Sequence, residues 1–194
     1  MPAETPRPDP ASQIALTAPL LRALAHPLRT QIMAALQRFG PSTATGLAQR
    51  LGVNTGATSY HLRQLAEAGL VVEDTERGNA RDRWWKAAYR GTRIDDIDLV
   101  RSEPDLTTTF MHNIARENTA NLVRFIDELP TLPANWQEAS SMDNYTLHLT
   151  ARQLRDLLDK LEALVESYRV DEAARPRGAR RVIVHVNGFP QQGR

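Results

Sequence analysis

Apolar residues recur at intervals of three and four along most of the N-terminal third of this chain, the period of a helix with one buried face. Residues 14–25 put Leu20, Leu21 and Leu24 on such a face. That helix should end near His26, because the residue before a proline disfavours helical geometry. Pro27 suits the first turn of the next helix, PLRTQIMAALQRFG, which buries Leu28, Ile32, Met33, Ala35 and Leu36 and stops at Gly40-Pro41. Ser42 or Thr43 can cap a third helix, in which Leu47, Ala48 and Leu51 share a face and Gly52 takes the left-handed conformation that ends it. Asn54 then caps a fourth. On this last helix Thr58, Leu62 and Leu65 face inward, leaving Thr55, Gly56, Ala57, Ser59, Tyr60 and Arg63 outward or sideways. Two short helices across a tight turn, the second with small, hydroxyl-bearing and basic side chains outside, suit entry into a major groove ~12 Å wide.

After Gly69 the period shortens. LVVE forms one β arm and the stretch with Trp84, Trp85 and Tyr89 a second, around a polar tip with Gly78 and Asn79, which is a hairpin signature. Arg77, Arg81 and Arg83 at that tip make it a wing, placed to touch the DNA backbone or minor groove. Residues 92–105 are acidic, contain a proline and read as a linker. A long amphipathic helix follows over 106–129, with Phe110, Met111, Ile114, Ala115, Leu122, Phe125, Ile126 and Leu129 as its stripe. Such a stripe suits either a dimer interface or packing within one chain. Residues 144–188 read β-α-β: Tyr145, Leu147 and Leu149 alternate, Thr150 and Gln153 form a capping box, a leucine-rich helix follows, and Val182, Ile183, Val184 and Val186 make a second strand.

Composition narrows the chemistry. Among 194 residues there is no cysteine, which removes disulfides, thiolate metal sites and cysteine nucleophiles. Residues 1–12 hold four prolines and read as disordered; they lack a secretion signal, and no apolar run reaches the ~20 residues of a membrane span, so a cytoplasmic location is expected. Net charge is +1, but residues 1–91 carry 11 Lys+Arg against 7 Asp+Glu and residues 92–194 carry 13 against 16, so the basic bias falls on the half with the two-helix element. Ser140, Ser141, Asp143, His148 and His185 show no nucleophile–base–orienter spacing, so no enzyme and no cofactor is expected. His112, His148 and His185 fall in different segments, and no metal site is expected from them.

The run LRALAHPLRTQIMAAL, then TATGLAQRLGVNTGATSYHLRQLAEAGLV, then the hairpin ending RDRWWKAA resembles the winged helix-turn-helix of ArsR-type transcriptional regulators, over about residues 19–89. The resemblance implies a homodimer on an operator of two-fold symmetry, with helix 54–68 as the recognition helix and 73–85 as the wing. It makes Thr55, Ala57, Ser59, Tyr60 and Arg63 contacts, and His61 either a phosphate contact or a packed structural histidine. The departure from metal-sensing members is plain: the helix before the recognition helix, ATGLAQRLG, has no cysteine.

The expected fold is mainly α with small β: a winged helix-turn-helix domain over 13–91, the linker, and a C-terminal dimerisation or effector region over 106–194. The expected function is a double-stranded DNA-binding regulator, a homodimeric repressor, contacting DNA through Asn54, Thr55, Gly56, Ala57, Ser59, Tyr60, Arg63, Arg77, Asn79, Arg81 and Arg83. The C-terminal region leaves room for a small-molecule effector of unassigned identity. The alternative is a winged-helix protein-interaction module that does not read DNA.

Overall fold

A computed structural model describes residues 13–77, 82–94, 96–170 and 174–191. The chain divides into two compact units, one ending at Ile126 and one beginning at Asp127. None of the described helices is long and apolar enough to cross a membrane.

The first unit opens with β1 (Gln13–Ala15), α1 (Ala18–Leu24) and α2 (Pro27–Phe39). A continuous helix over 14–25 is therefore not formed. Ile14 and Leu16 are buried while Ala15 between them is exposed, a period of two, and β1 pairs in parallel with β5 (Gly91–Arg93). The helix begins only at Ala18, after extended Thr17 and with proline in its first turn. Two-residue β2 (Ser42–Thr43) leads into α3 (Ala44–Leu51) and α4 (Thr55–Glu67), and β3 (Val71–Glu73) and β4 (Trp84–Ala87) form the wing. The wing sheet has the order β2-β4-β3, all antiparallel, with Ser42 opposite Trp85 and Thr43 opposite Trp84.

The expected linker over 92–105 is instead largely structured. Its start is β5, held by β1. Farther on, Asp96 caps α5 (Ile97–Ser102), accepting from the Asp98 amide at 2.8 Å, and Leu99 is buried. The long helix α6 runs Pro104–Glu128. Its first turns bury Thr107, Phe110 and Asn113, and Asn113 Nδ2 donates to the Ala25 carbonyl at 3.0 Å, covering the exit of α1. Beyond Asn113 the stripe of Ile114, Leu122, Val123 and Ile126 is exposed. One core joins Leu21, Leu24, Ile32, Leu36, Leu47, Leu62, Leu65, Leu70, Trp85, Tyr89 and Phe110.

The second unit holds a 3-10 turn (Leu129–Thr131), α7 (Ala134–Glu138) and α8 (Ala151–Ser167). Thr150 and Gln153 form the capping box, and α8 lies where the β-α-β pattern put it. The flanking segments 141–149 and 179–191 carry no strand ladder.

Candidate nucleic-acid interface

The two-helix element owes its shape to four local devices. Thr43 caps α3, accepting from the Gly46 amide at 3.0 Å, and Asn54 caps α4, accepting from the Ala57 amide at 2.7 Å. Gly52 closes α3 at φ 66°, ψ 33°, a left-handed position that suits glycine. Thr58 Oγ1, wholly buried, lies 2.9 Å from the Ala44 carbonyl and so pins α4 against the start of α3. Leu62 and Leu65 on the same side reach the common core.

The opposite side of α4 is open. Thr55, Gly56 and Arg63 are exposed, Tyr60 is 53% exposed, and Ala57 and Ser59 are half-buried. Asn54 is exposed but its side-chain oxygen is engaged in the cap, so its amide nitrogen is the end left for a ligand. Arg63 Nε donates back to the Ser59 carbonyl at 3.3 Å, which draws its guanidinium along the helix surface. The structure thus brings Asn54, Thr55, Gly56, Tyr60 and Arg63 onto one accessible surface.

The wing arms are fixed by buried Asp74, with Lys86 Nζ 3.4 Å and Arg77 Nε 3.5 Å away. Arg83 meets Glu73 at 3.3 Å, and its guanidinium carbon lies 5.8 Å from the Trp85 ring centre. Arg77 and Arg83 are largely exposed, so these pairs hold them only loosely, by up to ~1 kcal/mol each, and a phosphate can compete. Asn79 and Arg81 lie outside the described residues.

His61 is buried, not a phosphate contact. Its ring centre sits 4.3 Å from that of His26 and 5.0 Å from that of Tyr60, and its Nδ1 has no hydrogen-bond partner. Burial lowers the pKa of His61, with His26 and Arg29 adding to the effect; burial and then Arg29 lower that of His26. His26 also caps α2, its Nδ1 accepting from the Leu28 amide at 3.2 Å, which requires that nitrogen to be unprotonated. The role of His26 was missed from sequence, although a polar residue directly before a proline at a helix start is a capping signal. Also missed was the pairing of Ser42 and Thr43 with the two tryptophans, which ties the wing to the base of α3.

Residues 26–72 match the family described as "Bacterial regulatory protein, arsR family". The two-helix element is of the ArsR type. The ArsR-type segment includes most of a 64-residue stretch that is 45% identical to the HTH-type transcriptional regulator NmtR of Mycobacterium tuberculosis (strain ATCC 25618 / H37Rv), a match taking in 33% of this chain and 50% of that protein. The chain thus spans half the length of this curated relative. Among solved structures it is similar to a "possible transcriptional regulator for arsenical resistance", at 23% identity and TM-score 0.32, over 58% of this chain and 97% of that one. It is likewise similar to a mutant of Lactococcus lactis ZitR in apo form, at 16% identity and TM-score 0.31, over 76% and 86%.

Among the described residues no group of three or more His, Cys, Asp or Glu side chains is placed to hold a metal ion around the ArsR-type segment or elsewhere. Ser140 Oγ donates to the Trp136 carbonyl at 2.6 Å, within its own helical turn.

Proposed function

We propose that this protein is a DNA-binding transcriptional regulator that acts in the cytoplasm as a homodimeric repressor. One observation carries the reading: α4 buries Thr58, His61, Leu62 and Leu65 completely enough to be rigid, yet its own domain leaves Thr55, Gly56, Tyr60 and Arg63 uncovered. A rigid helix with a bare face of short, hydroxyl and basic groups beside a cationic hairpin fits the major groove, and Arg77 and Arg83 then meet the flanking phosphates. The exposed stripe of α6, Met111, Ile114, Leu122, Val123 and Ile126, supports pairing of two copies, which sets two recognition helices on half-sites ~34 Å apart. A repressor needs nothing more than this occupancy. Selection of bound fragments from random duplex DNA is expected to enrich a palindrome. Binding should weaken steeply with salt, and Arg63→Ala with Arg83→Ala should lower the log–log salt slope by roughly 2, about one per lost phosphate contact. Salt-independent binding, or a slope unchanged in the double variant, would refute the reading.

A further inference from the structure

The second unit is unfinished as a single copy. Not one of its described residues is buried, although its sequence is as apolar as a domain's. Tyr145 is 81% exposed, Tyr168 80% and Phe189 75%, and Leu147, Leu149, Leu164, Val182, Ile183, Val184 and Val186 are exposed with them. Since one aromatic side chain carries ~150–250 Å², these residues leave on the order of 1,000 Å² of apolar surface, more than the ~300–600 Å² of the largest patch on an ordinary monomer.

Two further features say what covers this surface. The segment ending at Gly188 lies directly on α8: a Cβ there would stand 3.0 Å from Leu154 Cδ1 and 3.1 Å from Leu158 Cδ2. The apolar stripe of α8, Leu154, Leu157, Leu158, Leu161 and Val165, is therefore the floor on which extended chain is laid, yet it remains only half-covered. About a third of a turn round the helix runs a second stripe, Arg152, Arg155, Asp159, Glu162 and Glu166, at the same three-and-four spacing. It is basic at the N-terminal end and acidic at the C-terminal end, the reverse of what the helix macrodipole favours; no acidic residue occupies the first turn and no basic one the last. Arg152 and Arg155 have no ion-pair partner among the described residues. Turned end for end about Asp159, the stripe is its own complement: Arg152 meets Glu166 and Arg155 meets Glu162.

We infer that the second unit is completed by a second copy of itself, residues 144–149 and 181–188 of both copies forming one sheet beneath two antiparallel α8 helices whose flanks pair Arg152 and Arg155 with Glu166 and Glu162. The area left open by each copy matches the ~800 Å² per partner of a standard interface or exceeds it, and mutual strand addition gives the extended segments ladder partners. This inference rests on the homodimer of the proposed function but locates a contact separate from the α6 stripe.

The test uses the full chain. An all-basic variant, Glu162→Arg with Glu166→Arg, and an all-acidic variant, Arg152→Glu with Arg155→Glu, are made separately. Each alone should dimerise at least ~10-fold more weakly at low salt in sedimentation equilibrium, and a one-to-one mixture should give heterodimer well above the statistical half. Amide exchange of residues 144–149 and 181–188 should be slow in the dimer and fast on dilution to monomer. Leu147→Lys with Val184→Lys, at positions 58% and 59% exposed in one copy, should abolish that protection without unfolding the first unit. A statistical mixture, or protection that persists in the monomer, overturns the inference. If Met111→Glu with Val123→Glu alone gives monomer while the C-terminal variants leave association unchanged, the α6 dimer stands and this inference falls. A wild-type chain that is monomeric at every concentration sinks both.

Discussion

Gly52 and Gly40 offer a test of the backbone geometry that sets the recognition helix, because packing plays no part at either. A Cβ built on either glycine meets nothing within 4 Å, so a substitution to alanine is felt only through the dihedral angles. Gly52, at φ 66° and ψ 33°, is in the left-handed helical region, which costs an L-residue ~1–2 kcal/mol. Alanine also stiffens the unfolded chain, which returns ~0.4–1 kcal/mol, so Gly52→Ala should destabilise by about 1 kcal/mol. Gly40, at φ 81° and ψ −167°, lies in a region essentially reserved to glycine, and Gly40→Ala should cost ~2–3 kcal/mol. Gly52→Asn should be nearly silent, since asparagine tolerates the left-handed region. Urea unfolding followed by tryptophan fluorescence in a Trp136→Phe background reads Trp84 and Trp85, both in the first unit. Equal losses at the two glycines, or a neutral Gly40→Ala, would refute the argument from dihedral angles.

Two other outcomes follow from the burial of α4. Leu65→Ala should cost ~2–5 kcal/mol, for Leu65 is fully buried in the core, whereas Tyr60→Ala should weaken DNA binding with little change in stability. The His26–His61 pair makes the first unit acid-sensitive: both pKa values are lowered on folding, so their stabilising neutral state is complete above the ordinary value of about 6.5 and is lost as pH falls through the folded values. Unfolding free energy measured between pH 7.5 and 5 should fall in the wild type and fall less in His26→Asn with His61→Gln, the asparagine keeping the cap; equal slopes would rule the pair out as the cause.

What was legible in the sequence was what short-range chemistry determines. The caps at Thr43 and Asn54, the left-handed Gly52 and the inward set Thr58, Leu62 and Leu65 each depend on residues within one helical turn, and each is where the pattern put it. Residues 14–25 misled because Leu20, Leu21 and Leu24 supply a true helical period that was extended backward over Ile14 and Leu16, whose alternation belongs to a strand. That strand exists only through its partner at residues 91–93, more than seventy positions away. The supposed linker failed for the same reason, since half of what orders it is β1. The outward face of α4 was legible as a surface, but the engagement of Arg77 with Asp74 and Arg83 with Glu73 was not, because it depends on how the hairpin arms register.

The C-terminal unit carries this distinction one step further. There the alternation at Tyr145, Leu147 and Leu149 and the run at Val182–Val186 are as clear as any strand signal in the chain, and the helix between them forms with its capping box, yet the segments find no ladder within one copy. A strand pattern specifies which residues want to face a core and leaves open which chain supplies the opposite edge. In the first unit β1 and β4 are answered from within, by β5 and by β2 and β3, and their inward residues are buried. In the second unit the same kind of pattern goes unanswered, and the charges on the flank of α8 run against the dipole of their own helix. Both mismatches vanish under one two-fold operation, a single cause for two independent defects, and that makes a second copy a stronger candidate than any partner chosen to fit the apolar surface alone.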